Sequence, residues 1–254
     1  MMVEKNNLDH VTIVLNKPRF SANIGAAARS IKNMGLGKLV VVDPVEYDQD
    51  KVNRMATHVA SDIVNKIKIY KSIKEALSSF TYIVGTTARL GSERSVVYSP
   101  SKMAQKLISI SQENQIAVVF GPEDRGLTND EIRLCHDLVH IPTAGFSSLN
   151  LAQAVMILCY EIFTATREVV EEFVPRLANR YELDGMYDQL KEVLVRIDYI
   201  KPDNPDYWMR YIRRFFSRIG LRAREVGVIR GICRQINWYG DKRYQDGLTN
   251  GKQS

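Results

Sequence analysis

The chain has 254 residues, 45% apolar and 25% charged, with 35 Lys and Arg against 29 Asp and Glu for a formal net charge of +6. These are globular proportions with room for one or two domains and a sizeable core, and no stretch nears the ~20 apolar residues of a membrane span. Glu4, Lys5 and Asp9 stand where a secretion signal needs an apolar run, and three scattered cysteines (Cys135, Cys159, Cys233) exclude a disulfide framework or a zinc site, so a reducing cytoplasm is expected.

Short apolar runs bounded by turn residues read as buried parallel strands at Val11–Leu15, Leu39–Val42, Tyr82–Gly85, Ile116–Phe120 and Leu138–Ile141. Helical patterns separate them: Ala22–Met34 closed by Gly35, Ser72–Ser79, Pro100–Gln112 and Leu149–Thr166. Ser99 precedes a proline at the first helical position, as an N-cap would. Thr128 and Glu131 have the spacing of a capping box before a short helix reaching Cys135. Alternation of strands and helices predicts an α/β domain with a parallel sheet over residues 1–166. A charged linker follows over 167–183, containing Glu168, Glu171 and Glu172. Beyond it only helices are predicted, at Asp184–Ile197, Asp206–Ser217 and Leu221–Trp238, forming a small extension over 184–243. Val226, Ile229, Cys233 and Ile236 mark an apolar stripe in the last of them. Residues 244–254 are polar and predict a frayed, flexible tail.

The positive charge is not spread evenly. Tyr207–Arg243 holds ten basic residues against two acids, a net +8, which leaves the remainder at −2. Arg210, Arg214 and Arg218 recur at four-residue steps and form one stripe on a helix. Tyr207, Trp208, Tyr211, Phe215 and Phe216 are interleaved with them. Two readings stand side by side: a nucleic-acid footprint, or a solvated face with the aromatics in a core or dimer interface. If the footprint lies elsewhere, Arg19, Arg54, Arg89 and Arg94 on the α/β domain could supply it.

Common catalytic signatures are missing. Gly35-Leu-Gly37-Lys38 lacks the spacing and hydroxyl of a phosphate loop, no Gly-x-Gly-x-x-Gly follows a strand, and no Gly-x-Ser-x-Gly elbow occurs. His136 and His140 straddle a helix end and a strand, so they read as structural rather than as metal ligands. No metal site is expected.

Three segments stand out, each after a predicted strand. Asn23-Ile24-Gly25-Ala26-Ala27-Ala28-Arg29 combines a residue able to cap the helix, small residues for close packing, and an Arg able to grip phosphate. Phe120-Gly121-Pro122-Glu123-Asp124-Arg125-Gly126-Leu127-Thr128 carries charges on a loop shaped by glycine and proline. Ile141-Pro142 through Ser147-Ser148-Leu149-Asn150 brings hydroxyl and amide groups to a helix N-terminus. Singly, each also reads as packing, a surface turn or capping. Together they gather at strand C-terminal ends, where open α/β sheets bind ligands.

In order and spacing, Asn-x-Gly-x-x-x-Arg, Phe-Gly-x-Glu-x-x-Gly-Leu and Ile-Pro with Ser-Leu-Asn resemble the three motifs of the SPOUT-superfamily 2′-O-ribose RNA methyltransferases. The run Phe-Ser-Ser-Leu-Asn-Leu-Ala-Gln-Ala and the helical extension are similar to the bacterial tRNA methyltransferases of the TrmJ type, which modify nucleotide 32 of the anticodon loop. The second motif reads Pro122-Glu123-Asp124-Arg125 here, a departure from that group's frequent Arg directly after the first glycine. The resemblance implies a parallel sheet ending in a C-terminal trefoil knot, which topology rules alone would not propose. It also implies S-adenosyl-L-methionine as cofactor, tRNA as substrate, and a homodimer.

Carried onto this sequence, the resemblance makes Asn23, Arg29, Glu123, Ser148 and Asn150 catalytic candidates. Cofactor contacts would fall on Thr86, Thr87, Ala88, Gly121, Ile141, Ser147, Ser148 and Leu149. Arg29, Arg210, Arg214 and Arg218 would hold RNA. Because a guanidinium stays protonated, Arg29 reads as a phosphate clamp and electrostatic stabiliser rather than the base sometimes assigned to that motif. The alternatives are a ribosomal-RNA ribose methyltransferase of the same superfamily, a non-catalytic RNA-binding relative, and, less favoured, a generic nucleotide-binding enzyme.

Overall fold

The computed structural model describes residues 8–88, 97–144, 149–167 and 175–250. In chain order the first part contains β1 (Val11–Asn16), α1 (Ser21–Asn33), β2 (Lys38–Val42), α2 (Gln49–Ala56), α3 (Ser61–Val64), β3 (Lys68–Tyr70) and α4 (Ile73–Leu77). It continues with β4 (Tyr82–Thr86), β5 (Val97–Tyr98), α5 (Pro100–Ser111), β6 (Ile116–Phe120), α6 (Asn129–Ile132), β7 (Asp137–Val139) and α7 (Leu151–Ala165). The seven strands form one sheet in the order β3-β2-β1-β6-β4-β7-β5, with every pairing parallel.

β1 and β6 lie at the middle and are buried along their whole length, which is why both read as unbroken apolar runs rather than alternating ones. One face of the sheet, including Val14, Val40, Ile83, Ala117 and Val119, packs with Ala76, Leu77 and Phe80 from the α4 region and with Leu127, Leu134 and Cys135. α1 packs against α2 and α7, and α5 against α7. Gly25 is where α1 meets α2: a Cβ there would lie 2.2 Å from the Val52 carbonyl oxygen. Gly35 follows α1 with φ +73°, the left-handed turn that glycine accepts at a helix end.

The parallel α/β architecture agrees with the sequence reading, and four elements were missed. β3 and β5 are only three and two residues long, too short to generate periodicity. α2 is strongly polar, and α3 is a single turn. β7 stops at Val139, two residues short of the predicted Ile141, since Pro142 lies just beyond and only three residues find a ladder partner on β4. Ser99 stands at the N-cap of α5 in an extended conformation, but its hydroxyl makes no capping bond. Thr128 and Glu131 do form the capping box of α6.

A second compact unit spans residues 177–254, the first covering 1–176. It contains α8 (Arg180–Arg196), α9 (Pro205–Ser217) and α10 (Ala223–Asn250). Its core holds Ala178, Leu183, Met186, Tyr187, Ile200, Met209, Leu221 and Val226. Two predicted boundaries need correction. α8 starts at Arg180, inside the proposed linker, because Asn179 and Glu182 form a capping box there. α10 runs on through the proposed flexible tail to Asn250. Arg196 of α8 bonds Asn237 at 3.3 Å and pairs with Asp241, and Asn237 donates to Glu192 at 3.1 Å. No proline interrupts the following turns, and the glycines cost only about 1 kcal/mol each.

Candidate active site at the sheet edge

β1, β6, β4 and β7 are neighbours in the sheet and point the same way, so their C-terminal ends open onto one edge. The three motif segments leave from that edge. The first enters α1 after β1, the second follows β6, and the third links β7 to α7.

Asn23 lies inside α1 and does not cap it; the N-cap position is Phe20, without a side-chain cap. Instead its Nδ2 donates to Glu123 Oε1 at 2.6 Å, and its Oδ1 accepts from Asn150 Nδ2 at 3.0 Å. Glu123 Oε2 accepts the backbone N–H of Arg19 at 3.0 Å. The Arg19 guanidinium pairs with Asp124 at 3.0 Å. Asn150 is also the N-cap of α7: its Oδ1 accepts from the backbone of Ala152 and Gln153, and the Gln153 side chain completes the box. One hydrogen-bonded line, Asn150–Asn23–Glu123–Arg19, therefore joins three segments, each of its bonds spanning at least 100 residues of sequence.

The loop carrying Glu123 is held in shape by its own backbone. A Cβ on Gly121 would fall 2.3 Å from Gly126 C and 2.4 Å from Leu127 N, and Gly126 has φ +69°. Gly121 thus serves the loop's turn directly. A further latch was missed by sequence reasoning. Asn16, the last residue of β1, is buried and donates to Glu131 Oε1 at 2.8 Å, while Glu131 Oε2 accepts from Thr128 N at 2.7 Å. Glu131 was visible only as a capping residue, and Arg19 only as a surface charge, because their partners come from distant sequence.

Arg29 lies six residues beyond Asn23 on the same helix, exposed, with no hydrogen-bond or ion-pair partner among the described residues. Six residues are about 9 Å of rise and place the two side chains on different faces. The structure does not bring Arg29 into the Asn23–Glu123 line.

Thr86 ends β4; Thr87 donates its N–H to Val139 O at 3.0 Å and its carbonyl lies 3.0 Å from His140 Nδ1. Ala88, Ile141 and Leu149 are exposed or half-buried along the same edge. Ser147 and Ser148 lie outside the described residues, as do Arg89 and Arg94. No group of three His, Cys, Asp or Glu able to hold a metal occurs among the described residues. His136 Nδ1 instead accepts from Ile83 N at 3.0 Å, a structural role.

In the helical unit, Arg210, Arg214 and Arg218 are exposed and have no carboxylate partner among the described residues. Tyr207, Trp208, Tyr211 and Phe215 are exposed too, from 39% to 60%, so within this unit they are not core residues. Phe216 alone of the five packs inward. Arg210 lies over the Tyr207 ring at 5.2 Å.

The parallel sheet and the motif segments at its edge are those of an RNA methylase. The chain belongs to the SpoU rRNA methylase family, whose model matches residues 10–160, and it carries the tRNA methyltransferase TrmJ C-terminal domain over residues 181–247. It is 32% identical over 239 residues to the tRNA (cytidine/uridine-2′-O-)-methyltransferase TrmJ of Klebsiella pneumoniae, covering 90% of this chain and 97% of that one. The tRNA (cytidine/uridine/adenosine-2′-O-)-methyltransferase TrmJ of Pseudomonas aeruginosa is 34% identical over 240 residues, 89% of this chain and 93% of that one. Among solved structures, TrmJ from Z. mobilis superposes with a TM-score of 0.75 at 27% identity, over 89% of this chain and 98% of that one. A probable methylase family protein from Haemophilus influenzae gives 0.60 at 29% identity, over 93% and 99%.

Proposed function

We propose that this protein transfers the methyl group of S-adenosyl-L-methionine to a ribose 2′-hydroxyl of tRNA, at nucleotide 32 of the anticodon loop. The observation that carries the reading is the Asn150–Asn23–Glu123–Arg19 line, which assembles all three motif segments at the C-terminal edge of the sheet. Full-length likeness to tRNA 2′-O-methyltransferases supports tRNA over ribosomal RNA.

The cofactor supplies an activated sulfonium methyl group, and Thr86–Ala88, Ile141, Ser147, Ser148 and Leu149 would hold it. A ribose hydroxyl is a weak nucleophile, so its proton must leave and the developing negative charge on oxygen must be stabilised. Both oxygens of Glu123 already accept hydrogen bonds from Asn23 and Arg19, so Glu123 acts by fixing Asn23 rather than as the base. Asn23, engaged through Nδ2 and Oδ1, holds Asn150 in turn. Ser148 and Asn150 would align the ribose. Arg29 stays protonated and cannot accept the proton; it clamps phosphate and stabilises charge, and the adjacent phosphate takes the proton.

The reading extends to a homodimer whose partner helps complete the site around Arg29, which is exposed and unpaired among the described residues. It extends to a trefoil knot, supported by the sheet order, in which β7 is inserted between β4 and β5 after the chain has already passed through β6. It extends to a cytoplasmic enzyme; no helix of the described residues is long and apolar enough to cross a membrane, and the three cysteines are buried and not disulfide-bonded among the described residues. The test is labelled methyl transfer from S-adenosylmethionine to tRNA and ribosomal RNA from a strain lacking the gene, with the methylated ribose mapped. Transfer to ribosomal RNA alone, or to neither, overturns the assignment.

A further inference from the structure

A cavity of about 550 Å³ lies beside the N-terminal ends of β1, β2, β3 and β6, on the sheet edge opposite the motif segments. Its apolar lining includes Val40, Tyr70 and Phe80. Ser79 and Gln115 add polar groups, and Lys38, Lys66 and Lys68 complete the wall. The volume lies within the ~300–1,000 Å³ range of small-molecule sites.

The lysines are the informative part. All three are exposed, and none has a carboxylate partner among the described residues. Lysine on an edge strand is a common guard against sheet-to-sheet pairing, which accounts for Lys68 on β3. It does not account for Lys38, on the interior strand β2, or for Lys66, in the turn before β3. Unneutralised ammonium groups around an aromatic-lined hollow call for an anion carrying a planar apolar body. Lysine binds phosphate as a point charge, and exposed bases stack on Tyr and Phe rings.

We propose that this cavity is a second, non-catalytic site for a nucleotide: the base packs against Tyr70 and Phe80, and its phosphate is held by Lys38, Lys66 and Lys68. The nucleotide could be free or part of an RNA chain; the chemistry is shared.

The probe is cytidine monophosphate, titrated calorimetrically into the full chain saturated with S-adenosylhomocysteine, so that the cofactor contacts are occupied; binding at the substrate side of the catalytic edge is recognised by its indifference to the cavity variants below. Saturable binding is expected. Cytidine and inorganic phosphate alone should bind more weakly, and Lys66→Glu with Lys68→Glu should lower affinity about tenfold or more, the loss of one or two charged contacts. Ser79→Trp, which fills the cavity and leaves the lysines, should abolish binding. Absence of binding, or binding indifferent to both variants while circular dichroism shows them folded, overturns the proposal. Competition then identifies the source: cytidine monophosphate displaces tRNA if the ligand is an RNA nucleotide, and leaves tRNA binding unchanged if it is free. Methyl transfer is measured separately, so failure here is distinct from failure of the methyltransferase reading.

Discussion

Among single residues, the clearest contrast is between Asn23 and Arg29. They belong to one motif and one helix, yet Asn23 is held on both sides and Arg29 has no partner among the described residues. An unrestrained guanidinium is suited to meet a phosphate arriving with the substrate. Arg29→Ala is expected to abolish methyl transfer while calorimetric binding of S-adenosylhomocysteine stays nearly unchanged; an equal loss of both would contradict the clamp role. Gly25 lies between them and has a different task. Adding a methyl group would drive a Cβ against the Val52 carbonyl and Met55. Gly25→Ala should destabilise the α/β unit by about 1–3 kcal/mol, read as a lower Tm, with no separate effect on cofactor affinity. The motif's spelling did not distinguish these jobs, since one asks for a small residue and the other for a polar one at neighbouring positions.

For the elements, α7 depends on Asn150 in two ways: Oδ1 caps the helix, and Nδ2 reaches Asn23. The two can be separated chemically. Asn150→Ala should lose both, at about 1 kcal/mol for the cap. Asn150→Asp keeps an acceptor for the cap and suits the positive helix end, but it has no Nδ2 donor. Thermal melts should therefore show Asp restoring stability, while turnover stays low in both variants. Recovery of activity by Asp would show that capping alone is what α7 requires of this residue. Most elements were legible beforehand because buried strands and amphipathic helices impose their own period. β3, β5 and α3 were not, since elements this short are created by the neighbours they pair with. α10 was under-read because a polar composition suggested fraying, whereas pairing of Asp241 and Asn237 with Arg196 carries the helix onward.

At the level of the whole molecule, the chain is two compact units, and most of the net charge lies in the second. Residues 177–254 carry +5 of the +6, because the +8 stretch Tyr207–Arg243 lies within them, and residues 1–176 are left nearly neutral at +1. Deleting residues 177–254, the boundary the fold itself draws, should weaken tRNA binding and flatten its dependence on salt, because each lost phosphate contact removes a counterion-release increment below about one from the logarithmic slope. Filter binding across a salt series checks this. An unchanged slope would move the footprint to the α/β unit, where Arg54 is exposed and Arg19 is already committed to Asp124.

Sequence alone determined the α/β class, the parallel sheet, the helical basic extension and the motif residues, because these rest on local period, turn chemistry and composition. Tertiary structure decided which of those residues meet. Glu123 touches Asn23 and Arg19, Asn150 reaches back to Asn23, and Asn16 is latched to Glu131. It also decided that Arg29 stands apart and that three lysines surround a cavity on the far edge. Hydrogen bonds between segments a hundred residues apart leave no period in the chain; they exist only once parallel strands bring their ends to one edge.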